Sequence, residues 1–172
     1  TFSMIKEEVM YWAITLIYRV RIWFFFGVGA VMLTAMKAMN KFMRIENKVF
    51  CIQDSHMQAM AAATMDERDT AVIFSYSGAT KDTIHVAEVA KRSGAKIICI
   101  TRFVKSPLSA YSDVTLLSGA NEGPLQGGST SAEISQLFLV DLIYTEYYRR
   151  YFEQCSVNNE KTSGSVLEKL CE

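Results

Sequence analysis

The chain has 172 residues, half of them hydrophobic, and its 18 basic and 18 acidic side chains cancel to a formal net charge of zero. That length and composition suit one globular domain with a substantial core and exclude a disordered chain. Zero net charge with no basic run excludes an electrostatic footprint for nucleic acid on this segment.

Phe2, Ile5, Val9, Trp12 and Leu16 recur at steps of three and four, which predicts one apolar face of an N-terminal helix. Ile22-Trp23-Phe24-Phe25-Phe26 is a continuous apolar run of strand length, as expected for a strand buried on both sides. Gly27-Val28-Gly29 ends it, and Met32, Ala35, Met36, Met39 and Met43 start a second helix. Residues 22–36 are uncharged, but a membrane span needs about 20 such residues, and Arg19, Arg21 and Lys37 cut the region. A buried strand and flanking helices are expected, with no span and no signal-peptide layout.

A second strand is predicted at 49–52. Ser55-His56-Met57-Gln58 then matches a capping box, in which the serine accepts from a helix N–H and the glutamine returns the bond. That helix runs to about residue 64. A third strand covers 70–74, a helix 80–92 with Gly94 ending it, and a fourth strand Lys96–Thr101. A turn around Ser106-Pro107 leads to a fifth strand, Val114–Leu117. A loop holding Gly119, Gly123, Pro124, Gly127 and Gly128 precedes a long helix at about 130–152. Residues 156–164 are polar and aperiodic and read as a linker, with a last short helix at 165–170.

The cysteines, Cys51, Cys99, Cys155 and Cys171, show no C-x-x-C spacing. Two of them fall in apolar strand-like runs, where a reduced cysteine is a small buried hydrophobe. That fits a reducing cytoplasm.

Strands alternating with helices imply parallel strands joined by right-handed crossovers. The expected fold is a three-layer α/β sandwich, doubly wound and flavodoxin-like, with strand order 2-1-3-4-5. Ligands bind such sheets where the chain reverses direction, here between strands one and three. The loops at that switch point are residues 27–31 and 75–80.

The second loop is dense in hydroxyls. In Ser75-Tyr76-Ser77-Gly78-Ala79-Thr80, a glycine permits close backbone approach and three side chains can donate hydrogen bonds at a helix start, which favours anions. The plainer alternative is that Thr80 caps the helix and the serines finish a turn, although a cap needs only one hydroxyl. Gly127-Gly128-Ser129-Thr130-Ser131 repeats the theme, and Thr130 to Glu133 also reads as a capping box. The G-x-G of Gly27 and Gly29 lacks the third glycine of a dinucleotide fingerprint, because Met32 stands there. Gly78-Ala79-Thr80-Lys81 has the wrong order for a P-loop. Neither NAD nor ATP is expected, nor any other cofactor or metal.

Ser75-Tyr76-Ser77-Gly78-Ala79-Thr80 resembles the S-x-S-G-x-T phosphosugar signature of the SIS (sugar isomerase) domain, and the resemblance spans about residues 21–150. Asp54-Ser55-His56-Met57-Gln58-Ala59-Met60, with Ser106-Pro107-Leu108 and Ser112-Asp113, looks like the effector domain of RpiR-type transcriptional regulators. The resemblance implies a phosphosugar site at Gly29, Ser75, Ser77, Gly78, Thr80 and Ser129. Val31 departs from the pattern, since family members commonly carry serine there. The resemblance also implies DNA binding through an N-terminal helix-turn-helix domain that is not in this chain, either because the domain is excised or because it stands alone. The expected organisation is a packing helix over residues 1–20, the phosphosugar domain over 21–153 and a flexible tail over 154–172.

An aldose–ketose isomerase, the alternative function, needs a base within hydrogen-bond reach. His56 and Glu122 are the candidates, with local capping and a solvated loop charge as their plainer readings. His85, Glu133, Arg102 and Lys105 offer less. No convincing acid–base set emerges, which favours a non-catalytic sensor. The late helix is apolar almost all round and carries Tyr144, Tyr147, Tyr148 and Tyr151, from which a homodimer or larger oligomer is expected.

Overall fold

A computed structural model of the chain describes residues 5–119 and 130–169. Five strands, β1 (Ile22–Phe26), β2 (Val49–Cys51), β3 (Asp69–Phe74), β4 (Lys96–Thr101) and β5 (Val114–Leu117), pair in parallel in the order β2-β1-β3-β4-β5. Six helices accompany them: α1 (Glu7–Tyr18), α2 (Ala30–Phe42), α3 (Ser55–Ala63), α4 (Lys81–Arg92), α5 (Thr130–Arg150) and α6 (Phe152–Leu167). The α/β class, the layers and the strand order are those expected.

The pleat sends successive side chains to opposite faces. Trp23, Phe25, Val72, Phe74, Ile98, Ile100 and Leu116 pack with α1, α2 and α5. Phe26, Ala71, Ile73, Ile97 and Cys99 pack with α3 and α4 on the other face. Both parities must therefore be apolar, which is why the central strands read as unbroken hydrophobic runs. β3, in the middle, is buried at all six positions. Trp23 anchors the first face, with Phe25, Phe42 and Tyr147 around it at centroid distances of 6.3, 5.0 and 5.3 Å, all edge-on. Such pairs add about 0.5–1.5 kcal/mol each beyond the area they bury.

At the N-terminal end of the sheet, Arg21 grips the buried Asp69 with two hydrogen bonds and ties the start of β1 to that of β3. At the other end these two neighbours part. The chain leaves β1 for α2 on one face and leaves β3 for α4 on the opposite face. The divergence opens the crevice that the topology predicts.

The structure corrects four expectations. The buried face of α1 is Met10, Ala13, Ile14 and Ile17, while Trp12 is half exposed. The helix lies at the sheet margin against β5, so the Val9/Trp12/Leu16 stripe is only its shoulder. Asp54, not Ser55, caps α3 by accepting from Met57 N at 2.9 Å. Gln58 is buried and serves a different purpose, described below. The tyrosines at the far end of α5 do not all serve a partner surface, and core edge, the other reading of such a stripe, holds for Tyr147, which is fully buried and bonds Glu46, while Tyr151, just beyond the helix, stacks on Tyr18.

The fourth correction concerns the tail, because residues 152–167 form the helix α6, where a linker and tail are expected. A polar helix persists there because it makes tertiary bonds. Cys155 is buried, Asn158 donates to Ile45 O and Thr162 donates to Arg44 O. Among the described residues, no helix is long and apolar enough to cross a membrane.

Candidate functional site

The crevice between β1 and β3 is bordered by the two loops singled out above. Gly29 caps α2 with φ +64° and ψ −136°, and nothing lies within 4 Å of where its Cβ would sit. The position is exposed, and the backbone is therefore open to a ligand. Val31 packs its side chain on the loop: a Cβ at Gly27 would lie 3.3 Å from Val31 Cγ2. The loop is also held from below. Gln58 Nε2 donates to both Gly27 O and Ile52 O at 2.8 Å, joining the ends of β1 and β2 through α3.

The 75–80 turn continues β3. Ser75 N donates to Ile100 O, and the Ser75 hydroxyl, almost fully buried, accepts from Gly78 N at 3.1 Å. Ser77 Oγ accepts from Ala79 N at 3.1 Å and is exposed. A serine hydroxyl that accepts a bond still has its proton to donate. Gly78 has φ +63°, and a Cβ there would stand 2.3 Å from Ser106 Oγ and 2.6 Å from Ser106 Cβ. Thr80 holds the N-cap position of α4, yet its hydroxyl makes no capping bond. The plain reading of Thr80 as a side-chain cap therefore fails, and its hydroxyl stands at a helix start whose first N–H groups lack intrahelical partners.

The turn thus presents hydroxyl protons of Ser77 and Thr80 beside the positive end of α4, a set suited to phosphoryl oxygens. Ser75 acts at one remove, by shaping the backbone at Gly78. Behind the turn, Arg102 N and Thr101 Oγ1 both donate to Tyr76 O, and Leu108 N donates to Gly78 O.

His56 is exposed in the first turn of α3, and His85 is exposed on α4. Ser129 and Glu122 lie outside the described residues. Burial pushes the thiols of Cys51 and Cys155 up to about 11 and that of Cys99 up to about 12, so they stay protonated near neutrality rather than serving as thiolate nucleophiles. Among the described residues, no group of three His, Cys, Asp or Glu side chains could hold a metal ion. Gln58, Thr101 and Ser106 support the site without having been recognised in the sequence. Gln58 and Ser106 fall in stretches that the family resemblance singles out, but neither is marked there as a support, and the capping-box spacing absorbed Gln58.

A five-stranded parallel sheet in the order β2-β1-β3-β4-β5, with helices on both faces, defines a flavodoxin-like α/β domain. The SIS domain family model matches residues 16–146, and the chain belongs to that family. Over 146 residues it is 36% identical to an uncharacterised HTH-type transcriptional regulator of Haemophilus influenzae, covering 85% of this chain and 51% of that one. Over 164 residues it is 32% identical to the HTH-type transcriptional regulator RpiR of Escherichia coli K12, covering 95% and 55% respectively. The chain spans about half the length of these curated relatives. Among solved structures, the Vibrio vulnificus NanR protein complexed with ManNAc-6P superposes with TM-score 0.94 at 26% identity, covering 99% of this chain and 65% of that one. The sugar isomerase domain of an RpiR transcription factor from Sphaerobacter thermophilus gives 0.84 at 18% identity, covering 94% and 89%, and shows the fold.

Proposed function

We propose that this chain is the phosphosugar-binding effector domain of an RpiR-type transcriptional regulator, a sensor and not an enzyme. The observation that carries the reading is the 75–80 turn, with Thr80 at the N-cap of α4 and its hydroxyl unused by the helix. Relatives that are HTH-type regulators and a neighbour solved with ManNAc-6P support it. Ser77 and Thr80 receive the phosphate, on a turn whose backbone at Gly78 is shaped by Ser75. Gly29 borders the sugar.

On this reading residues 21–153 form the ligand domain and residues 1–20 pack on it. DNA is reached through a helix-turn-helix domain outside this chain, in the cytoplasm. The regulator is a homodimer or larger, for which the exposed Leu33 of α2 and Ile134 and Phe138 of α5 offer apolar surface. A sensor requires differential affinity for two states rather than a proton-transfer base.

The test is thermal unfolding of the wild type with N-acetylmannosamine 6-phosphate, glucose 6-phosphate and fructose 6-phosphate. At least one should raise the midpoint, and a ligand at 100 times its Kd contributes about 2.7 kcal/mol. Ser77→Ala and Thr80→Ala should each remove most of that gain. Stabilisation by none of the three overturns the site, and steady interconversion of aldose and ketose phosphates overturns the sensor.

A further inference from the structure

The carbonyls of the 75–80 turn are anchored on the segment that begins at the end of β4. Tyr76 O accepts twice, from Arg102 N at 3.0 Å and from Thr101 Oγ1 at 3.1 Å. Gly78 O accepts from Leu108 N at 2.9 Å. Thr101 is fully buried, and its hydroxyl lies 3.2 Å from the place a Gly78 Cβ would occupy. A trans peptide puts its C=O and the following N–H on opposite sides. Drawing the Tyr76 carbonyl onto β4 therefore turns the Ser77 N–H away from β4, and drawing in the Gly78 carbonyl turns the Ala79 N–H the same way. The Ala79 N–H is taken up within the turn by Ser77 Oγ, which leaves the Ser77 amide as the one the anchored Tyr76 carbonyl orients.

We propose that Thr101 is a positioning residue whose buried hydroxyl, bonded to the Tyr76 carbonyl, holds the Ser77 amide of the 75–80 turn in its anion-receiving orientation. The proposal rests on the reading of that turn as a phosphate site. Thr101 needs no contact with the ligand: it acts through the peptide between Tyr76 and Ser77. Valine has nearly the shape of threonine and suits a strand end, so Thr101→Val removes the hydroxyl while Arg102 N still holds Tyr76 O. The strand pairing of β4 and the bond from Ser118 N to Thr101 O involve backbone only and are unaffected.

The experiment uses the full chain, with Thr101→Val and the hydroxyl-retaining Thr101→Ser. The first readout, in the absence of ligand, is amide hydrogen exchange in the peptide covering residues 75–80. The second is affinity for N-acetylmannosamine 6-phosphate, glucose 6-phosphate and fructose 6-phosphate. Thr101→Val should speed exchange in that peptide and weaken binding by about tenfold each, the equivalent of about 1.4 kcal/mol. Thr101→Ser should keep both near wild type, a rescue that loss of packing would not give. Unchanged exchange in Thr101→Val overturns the proposal, as does faster exchange with undiminished binding, or a serine variant that behaves like valine. If the wild type binds none of the three sugars, the phosphate reading itself falls, and the exchange arm alone decides whether Thr101 orients the turn.

Discussion

Alanine at Gly78 tests the seat of the turn, because two separable costs meet there. The first is conformational: with φ +63°, an L-residue pays about 1–2 kcal/mol to enter the left-handed region. The second is steric, since the new methyl would sit 2.3 Å from Ser106 Oγ and 2.6 Å from Ser106 Cβ. Ser106 is not free to swing aside at no cost, because its hydroxyl accepts from Ser109 N at 3.2 Å and its own N–H donates to Ser109 Oγ at 2.9 Å. Breaking one such bond adds about 1 kcal/mol, so Gly78→Ala should lose about 2–3 kcal/mol in all. Gly29→Ala isolates the first cost, because φ is +64° there and no atom lies within 4 Å of the added methyl. It should lose about 1–2 kcal/mol. Urea unfolding of both variants measures the difference, and Gly78→Ala combined with Ser106→Gly should recover part of the steric share. Equal losses at the two glycines, or no recovery in the double variant, would refute the reasoning.

Two further outcomes follow from buried polar groups. Gln58→Leu should cost about 1–3 kcal/mol in urea unfolding, since it strands the carbonyls of Gly27 and Ile52 that share Nε2; a loss below that range would mean water replaces the amide without penalty. The thiols of Cys51, Cys99 and Cys155 ionise near 9 in the unfolded chain and at about 11, about 12 and about 11 in the folded one. Above pH 9 the unfolded state therefore binds fewer protons than the native state, and stability falls as pH rises from 9 toward 12. Iodoacetamide labelling read by mass spectrometry should find these three thiols slow to react in the native protein at pH 8, and rapid labelling there would contradict their burial.

Most of the sheet was legible because a strand covered on both faces must be apolar along its middle, as Ile22–Phe26, Ala71 to Phe74 and Ile97 to Ile100 are. The order of strands followed from their alternation with helices, and the hydroxyl turn stood out because its residues are adjacent in the chain. Features that depend on distant partners were not legible. Gln58 answers to Gly27, 31 residues away, and Asp54 took the cap that the serine spacing suggested. Thr101 looks like any strand threonine until Tyr76 O is placed against it. In α1 two neighbouring apolar stripes compete, and only packing against β5 and α5, distant in sequence, turns Met10, Ala13, Ile14 and Ile17 inward. The aperiodic 156–164 stretch is helical because Asn158 and Thr162 find carbonyls on the turn after α2, which no local pattern announces.

That last clasp gives α2 a second role. Its 13 residues span about 20 Å, with Gly29 at one extremity and, at the other, the 44–45 corner pinned by the C-terminal helix. One rigid element, buried along Met32, Ala35, Ala38 and Phe42, therefore joins the crevice loop to the bonds of Asn158 and Thr162, well away from that loop.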